Sequence, residues 1–151
     1  MTEKNMENHL RNLIKDKVLS NVKNFYMLDS KDITDIICCK NGDMPLLYFL
    51  ELKHYSSTNG RIGFGSSGKK TFQVEILKER PSYFEKYLRW IFCDENFSNY
   101  YILDNEACQK YIMGDSVSYD KQNNFRLTLF KKERKFSEQE LCDYLINWFS
   151  E

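Results

Sequence analysis

The chain has 151 residues, 42% hydrophobic, 15% aromatic and 29% charged, which is the size and balance of one folded domain spanning 1–151 and excludes a disordered tail. Its 22 Lys and Arg stand against 22 Asp and Glu, so any electrostatic footprint for nucleic acid must be local. Five cysteines show no C-x-x-C spacing and come with only two histidines, a pattern that argues against zinc and for reduced thiols in a cytoplasmic protein. No apolar run nears the roughly 18 residues of a membrane span, and no apolar leader segment follows Met1.

Residues 3–20 carry Met6, Leu10, Leu13, Ile14, Val18 and Leu19 at the 3-and-4 spacing of one helical face, with Glu3 and Glu7 in the first turns. Phe25 to Leu28 reads as a short strand before the turn-like residues 29–32. Two apolar runs, Ile33 to Cys39 and Pro45 to Leu52, flank Asn41-Gly42-Asp43 and predict a hairpin. Both faces of the second run are apolar, so it is expected to be a central strand covered on both sides.

From Leu52 to Val74 the chain holds four of the six glycines, four Lys or Arg and no acid, and reads as a basic loop. Phe72 to Arg80 and Ser82 to Phe92 have helical patterns divided at Pro81. Tyr100 to Leu103 predicts a strand, Asn105 to Ile112 a helix, and Phe125 to Phe130 alternates as a strand does. Ser137-x-x-Glu140 is a capping box that opens a C-terminal helix.

Chemistry concentrates at the end of the central strand. Glu51 and Lys53 stand two apart and so project from one face, and charges there are out of place for packing because each costs several kcal/mol of desolvation. Asp35 opens the preceding strand. A two-residue loop would oppose Asp35 to Tyr48, on the wrong face, whereas an odd-numbered loop of three or five residues opposes it to Phe49, diagonal to Glu51. An odd loop is therefore predicted, and in that register the rival carboxylate Asp32 points to the opposite face. Two carboxylates on one face suit Mg²⁺, with Mn²⁺ as a substitute, and Lys53 beside them is placed to orient water or to steady charge on a phosphate.

Asp35, fifteen intervening residues and Glu51-Leu52-Lys53 resemble the motif of the PD-(D/E)XK nucleases, which include restriction endonucleases and Holliday-junction resolvases; Thr34 stands where the motif's proline would be. The resemblance covers about residues 3–80 and leaves 81–151 to complete the domain. It implies an α/β restriction-endonuclease-like fold, a mixed β-sheet flanked by helices, and a Mg²⁺-dependent endonuclease acting on DNA, with RNA left open. Asp35, Glu51 and the Leu52 carbonyl would hold metal, and Lys53 would assist the water. Glu7, with Glu3 behind it, and Gln73 would join the site, and relatives suggest a homodimer. Arg61, Lys69 and Lys70 on the basic loop are placed for phosphates. Gly63-Phe64-Gly65-Ser66-Ser67-Gly68 matches a nucleotide-loop pattern but lacks the strand-to-helix context that pattern requires. His54 points away from the acids, and Lys131 to Lys135 reads as a solvated turn. The rival function is a non-catalytic nucleic-acid-binding or regulatory module that keeps these charges as an ion-pair network.

Overall fold

The computed structural model describes residues 3–28, 34–55, 82–112 and 125–151; the expectations for 29–33, the basic loop from Ser56 onward, the helix at 72–80 and Pro81 lie outside these. Helix α1 (Glu3–Leu13) runs on into a π-helical turn (Ile14–Val18) and a 3-10 turn (Leu19–Asn21). The widened turn keeps Ile14 and Val18 both fully buried, so one apolar stripe continues across the change of helix type.

Strands β1 (Phe25–Leu28), β2 (Ile36–Lys40), β3 (Leu46–Tyr55), β4 (Leu88–Asp94) and β5 (Tyr100–Leu103) form one sheet in sequence order. β1, β2 and β3 are an antiparallel meander, β4 lies parallel to β3, and β5 returns antiparallel to β4. The chain is thus a mixed α/β fold with a five-stranded mixed sheet, and β3 is its central strand as its two apolar faces predicted. Residue Leu46 pairs with Lys40, leaving an odd loop of five residues, 41–45. Pro45 has no N–H for the ladder and stays outside it. The loop is centred on Asp43 and not on Gly42, which moves the expected register by two, so that Ile37 rather than Asp35 faces Phe49. Parity, and therefore the face of every side chain, is unchanged.

Two stretches read differently in the structure. Only Ser82–Tyr87 of the predicted helix 82–92 is helical (α2), and Leu88 onward is β4. Leu88, Trp90, Ile91, Phe92 and Cys93 are all fully buried; a short run buried on both faces has no periodicity to separate helix from strand. The predicted strand 125–130 is an isolated bridge from Phe125 to Ile112, then a turn and a short helix α4 (Leu129–Lys132). Phe125 and Leu129 are buried four apart while Leu127 is 42% exposed, so the apparent alternation did not mark a face. Helix α3 (Asn105–Gln109) starts on Asp104, whose side chain accepts from the Ala107 N–H. Helix α5 (Glu138–Phe149) has the predicted capping box, with both hydrogen bonds made. Lys131, Lys132, Arg134 and Lys135 are exposed, so the run is solvated as expected, but its first two residues end α4 and do not form a turn.

The sheet is covered on both faces. On one, Met6 and Leu10 of α1, Ile14 of the π-helical turn and Leu141, Leu145 and Phe149 of α5 pack on Leu50, Leu52 and Ile91. Tyr48 is held there among the rings of Phe25, Tyr87, Trp148 and Phe149. On the other face, Phe49, Trp90, Phe92 and Leu103 pack with Cys108, Phe125 and Leu129. The buried Trp90 indole donates to Asn105 Oδ1 at 3.0 Å, which satisfies the one polar atom that a core tryptophan brings. Where β3 begins ahead of β4, the Tyr83 hydroxyl accepts from the Leu47 N–H at 3.0 Å and donates to its carbonyl at 2.8 Å. Among the described residues no helix is long and apolar enough to cross a membrane.

Burial pushes the thiols of Cys38 and Cys93 up to about 12 and raises Cys108 well above its ordinary range. It raises Tyr100 as well, with Cys93 and Glu138 adding to the effect. The unfolded chain therefore releases these protons first, and stability is full below about pH 8.5 and falls as pH rises from there through about 12. Urea midpoints measured at pH 7, 9 and 10.5 are expected to drop at the alkaline end, and a flat series would contradict this account. At pH 7, Leu50→Ala is expected to cost about 2–5 kcal/mol through its cavity, and Ser137→Ala about 1 kcal/mol through the lost cap.

Candidate functional site

Glu51 and Lys53 lie on the sheet face that carries Phe49, Trp90 and Phe92, because alternate residues of β3 share a face and directly paired residues of β4 join it. Both are nearly enclosed, at 4% and 6% exposure, and Lys53 Nζ stands 3.9 Å from Glu51 Oε1. An ammonium and a carboxylate this deep compensate part of each other's desolvation, which neither would recover alone. The Lys53 charge is also felt by the Cys108 thiol of α3, where it opposes the dominant effect of burial.

Asp35 precedes β2 by one residue. Continuing the β2/β3 register by one step sets position 35 opposite Glu51, directly and not diagonally as expected. The Asp35 carboxylate reaches past the strand end and accepts from the Leu52 N–H, Oδ2 to N 2.8 Å. Leu52 is the middle residue of Glu51-Leu52-Lys53, so the third charge is anchored on the backbone between the other two. In an antiparallel ladder a residue's N–H and C=O leave the strand on the same side, so the Leu52 carbonyl is directed to the same edge as Asp35. Thr34, buried, donates from its hydroxyl to the Ile36 carbonyl at 3.1 Å and holds the approach to the strand.

Glu7 is 6% exposed, on the helix that covers the opposite face of the sheet from the Glu51 and Lys53 side chains. Its carboxylate accepts from Arg11 Nε at 2.9 Å, one helical turn on. The two terminal nitrogens of Arg11 donate to the Leu28 carbonyl at 3.2 Å and to the Asp35 carbonyl at 2.6 Å. Glu7 is thereby connected to Asp35 by way of a guanidinium. His54, half-buried and paired with Cys93, lies on the α1 face as expected. Arg61, Lys69, Lys70, Gln73, the glycine motif 63–68 and Asp32 lie outside the described residues.

Arg11 is the residue that sequence reasoning missed. Its spacing of four from Glu7 signals a helical ion pair, but nothing local connects position 11 to a carbonyl 24 residues on. Among the described residues no three His, Cys, Asp or Glu side chains gather as a metal cluster. The donors present are two carboxylates and a main-chain oxygen. Such hard oxygen donors suit Mg²⁺, which commonly takes one or two protein carboxylates and completes its shell with water and phosphate.

No protein-family model, curated protein or solved structure matches this chain.

Proposed function

We propose that the protein is a Mg²⁺-dependent endonuclease that hydrolyses phosphodiester bonds in DNA, with a restriction-endonuclease-like fold. The observation that carries this reading is the seat of the Asp35 carboxylate on the Leu52 N–H, within the Glu51-x-Lys53 motif. The mixed sheet, with Asp35 just ahead of β2 and Glu51 on the neighbouring antiparallel strand, supports the arrangement that the resemblance of the motif to the PD-(D/E)XK nucleases implies.

In this reading Asp35, Glu51 and the Leu52 carbonyl would hold the metal. A divalent ion bound there would polarise a phosphodiester and make its water more acidic. Lys53, kept by Glu51 in a site with little solvent, orients the attacking water or steadies the negative charge that grows on phosphorus oxygens. Its fixed position means that little reorganisation is needed as the charge develops. Glu51 balances the ammonium when no substrate is present. A homodimer and phosphate contacts from Arg61, Lys69 and Lys70 belong to the same proposal.

The second reading, a nucleic-acid-binding or regulatory module without catalysis, draws on the Glu51–Lys53 ion pair itself, which would serve as a structural network. Supercoiled plasmid, single-stranded DNA, a four-way junction and RNA, each with Mg²⁺, Mn²⁺ or EDTA, separate the two. Metal-dependent cutting is expected, with Glu51→Gln and Lys53→Ala each reducing the rate about 10²-fold or more while circular dichroism stays native. No cutting of any substrate, together with no Mn²⁺ binding by calorimetry, would replace the nuclease by the binding module.

A further inference from the structure

The geometry points to Arg11 as the positioning residue of the acidic end of β2, with Glu7 acting through it. Arg11 divides its donors among three elements: Nε to Glu7 on its own helix, and the two terminal nitrogens to the carbonyls of Leu28, at the end of β1, and Asp35, just ahead of β2. A planar guanidinium offers five donors in a fixed fork, and a lysine cannot reproduce that geometry. The Asp35 contact, at 2.6 Å, is the shortest of the three and is charge-assisted.

Asp35 stands outside the hydrogen-bonded pairs of β2, so the ladder does not fix its main chain. Arg11 takes its carbonyl from one side while the Leu52 N–H takes its carboxylate from the other. With both ends held, the carboxylate is kept in one orientation on the Leu52 N–H, at the middle of Glu51-Leu52-Lys53. Glu7, in turn, fixes the guanidinium plane. This gives Glu7 a different task from the metal ligand that the sequence resemblance implies, because its charge is directed at Arg11 and its helix covers the other face of the sheet.

The assignment concerns how Asp35 is held, and its main test requires neither metal nor nucleic acid. Amide hydrogen exchange of the full chain is followed by NMR in the wild type, Arg11→Met, Arg11→Lys and Glu7→Gln. In Arg11→Met the Leu52 amide is expected to exchange about tenfold faster, as when one charge-assisted hydrogen bond no longer closes an opening, while Leu50 keeps its wild-type rate. Arg11→Lys is expected to restore little of this. Glu7→Gln, whose amide oxygen still accepts from Arg11 Nε, leaves Leu52 within about twofold of wild type. Equal acceleration at Leu50 and Leu52 would reduce Arg11 to a general stabiliser and overturn the assignment, as would an unchanged Leu52.

A Mn²⁺ titration of the same proteins rests on the proposed function. Glu7→Gln is expected to bind like wild type and Glu51→Gln to lose binding. Equal losses would make Glu7 a ligand and overturn its positioning role. A wild type that binds no Mn²⁺ would overturn the nuclease reading while the exchange result still decides the role of Arg11.

Discussion

Strand β3 has neighbours on both edges and side chains packed on both faces, and this confinement decides what its polar end can do. A charge on an exposed strand is satisfied by water at almost no cost. A charge at Glu51 or Lys53 has nearly no water to use, so it must be met by another group of the protein. The Glu51–Lys53 contact is such a meeting, and the Asp35 carboxylate is met in its turn by the Leu52 N–H. The first puts unlike charges within reach of one another in surroundings of low dielectric, where a fixed charge acts more strongly than it does in solvent.

The sequence made β3 readable because its patterning is extreme: a run from Pro45 to Leu52 with apolar groups on both faces leaves little choice but the middle of a sheet. The hairpin was readable for a similar reason, since face parity constrains the loop to an odd length even when the length itself is open. The loop included Met44 and Pro45, which strand patterning alone does not exclude, and so the register slid by two. The capping box of α5 is a local hydrogen-bond arrangement between Ser137 and Glu140, complete within four residues and therefore legible from them.

What was not legible has a common physical origin in long-range contact. Residues Leu88 to Cys93 form a strand because β3 offers them a parallel edge, and nothing within the segment records that edge. Phe125 and Leu129 are buried by the sheet surface beneath them, which overrides the alternation that suggested a strand. The role of Arg11 depends on carbonyls contributed by β1 and by the residue before β2, brought together only by the folded helix. For the candidate site, the residue types and spacing of Asp35, Glu51 and Lys53 were visible in the chain, while the means of holding them was not.

The Tyr83 hydroxyl on Leu47 has a bearing on strand alignment. Antiparallel neighbours joined by a hairpin have their offset set by the number of residues in the turn. Parallel neighbours have no such counter, and a slip of one residue between β3 and β4 would turn Trp90 and Phe92 to the face that receives Ile91 and Cys93. Tyr83 sits five residues before Leu88 and grips β3 two residues before Phe49, the partner of Leu88. Helix α2 joins the two points without an intervening loop. The phenol and the helix together therefore work as a gauge of fixed length, setting where β4 starts along β3 and so which side chains of β4 stand beside Glu51 and Lys53.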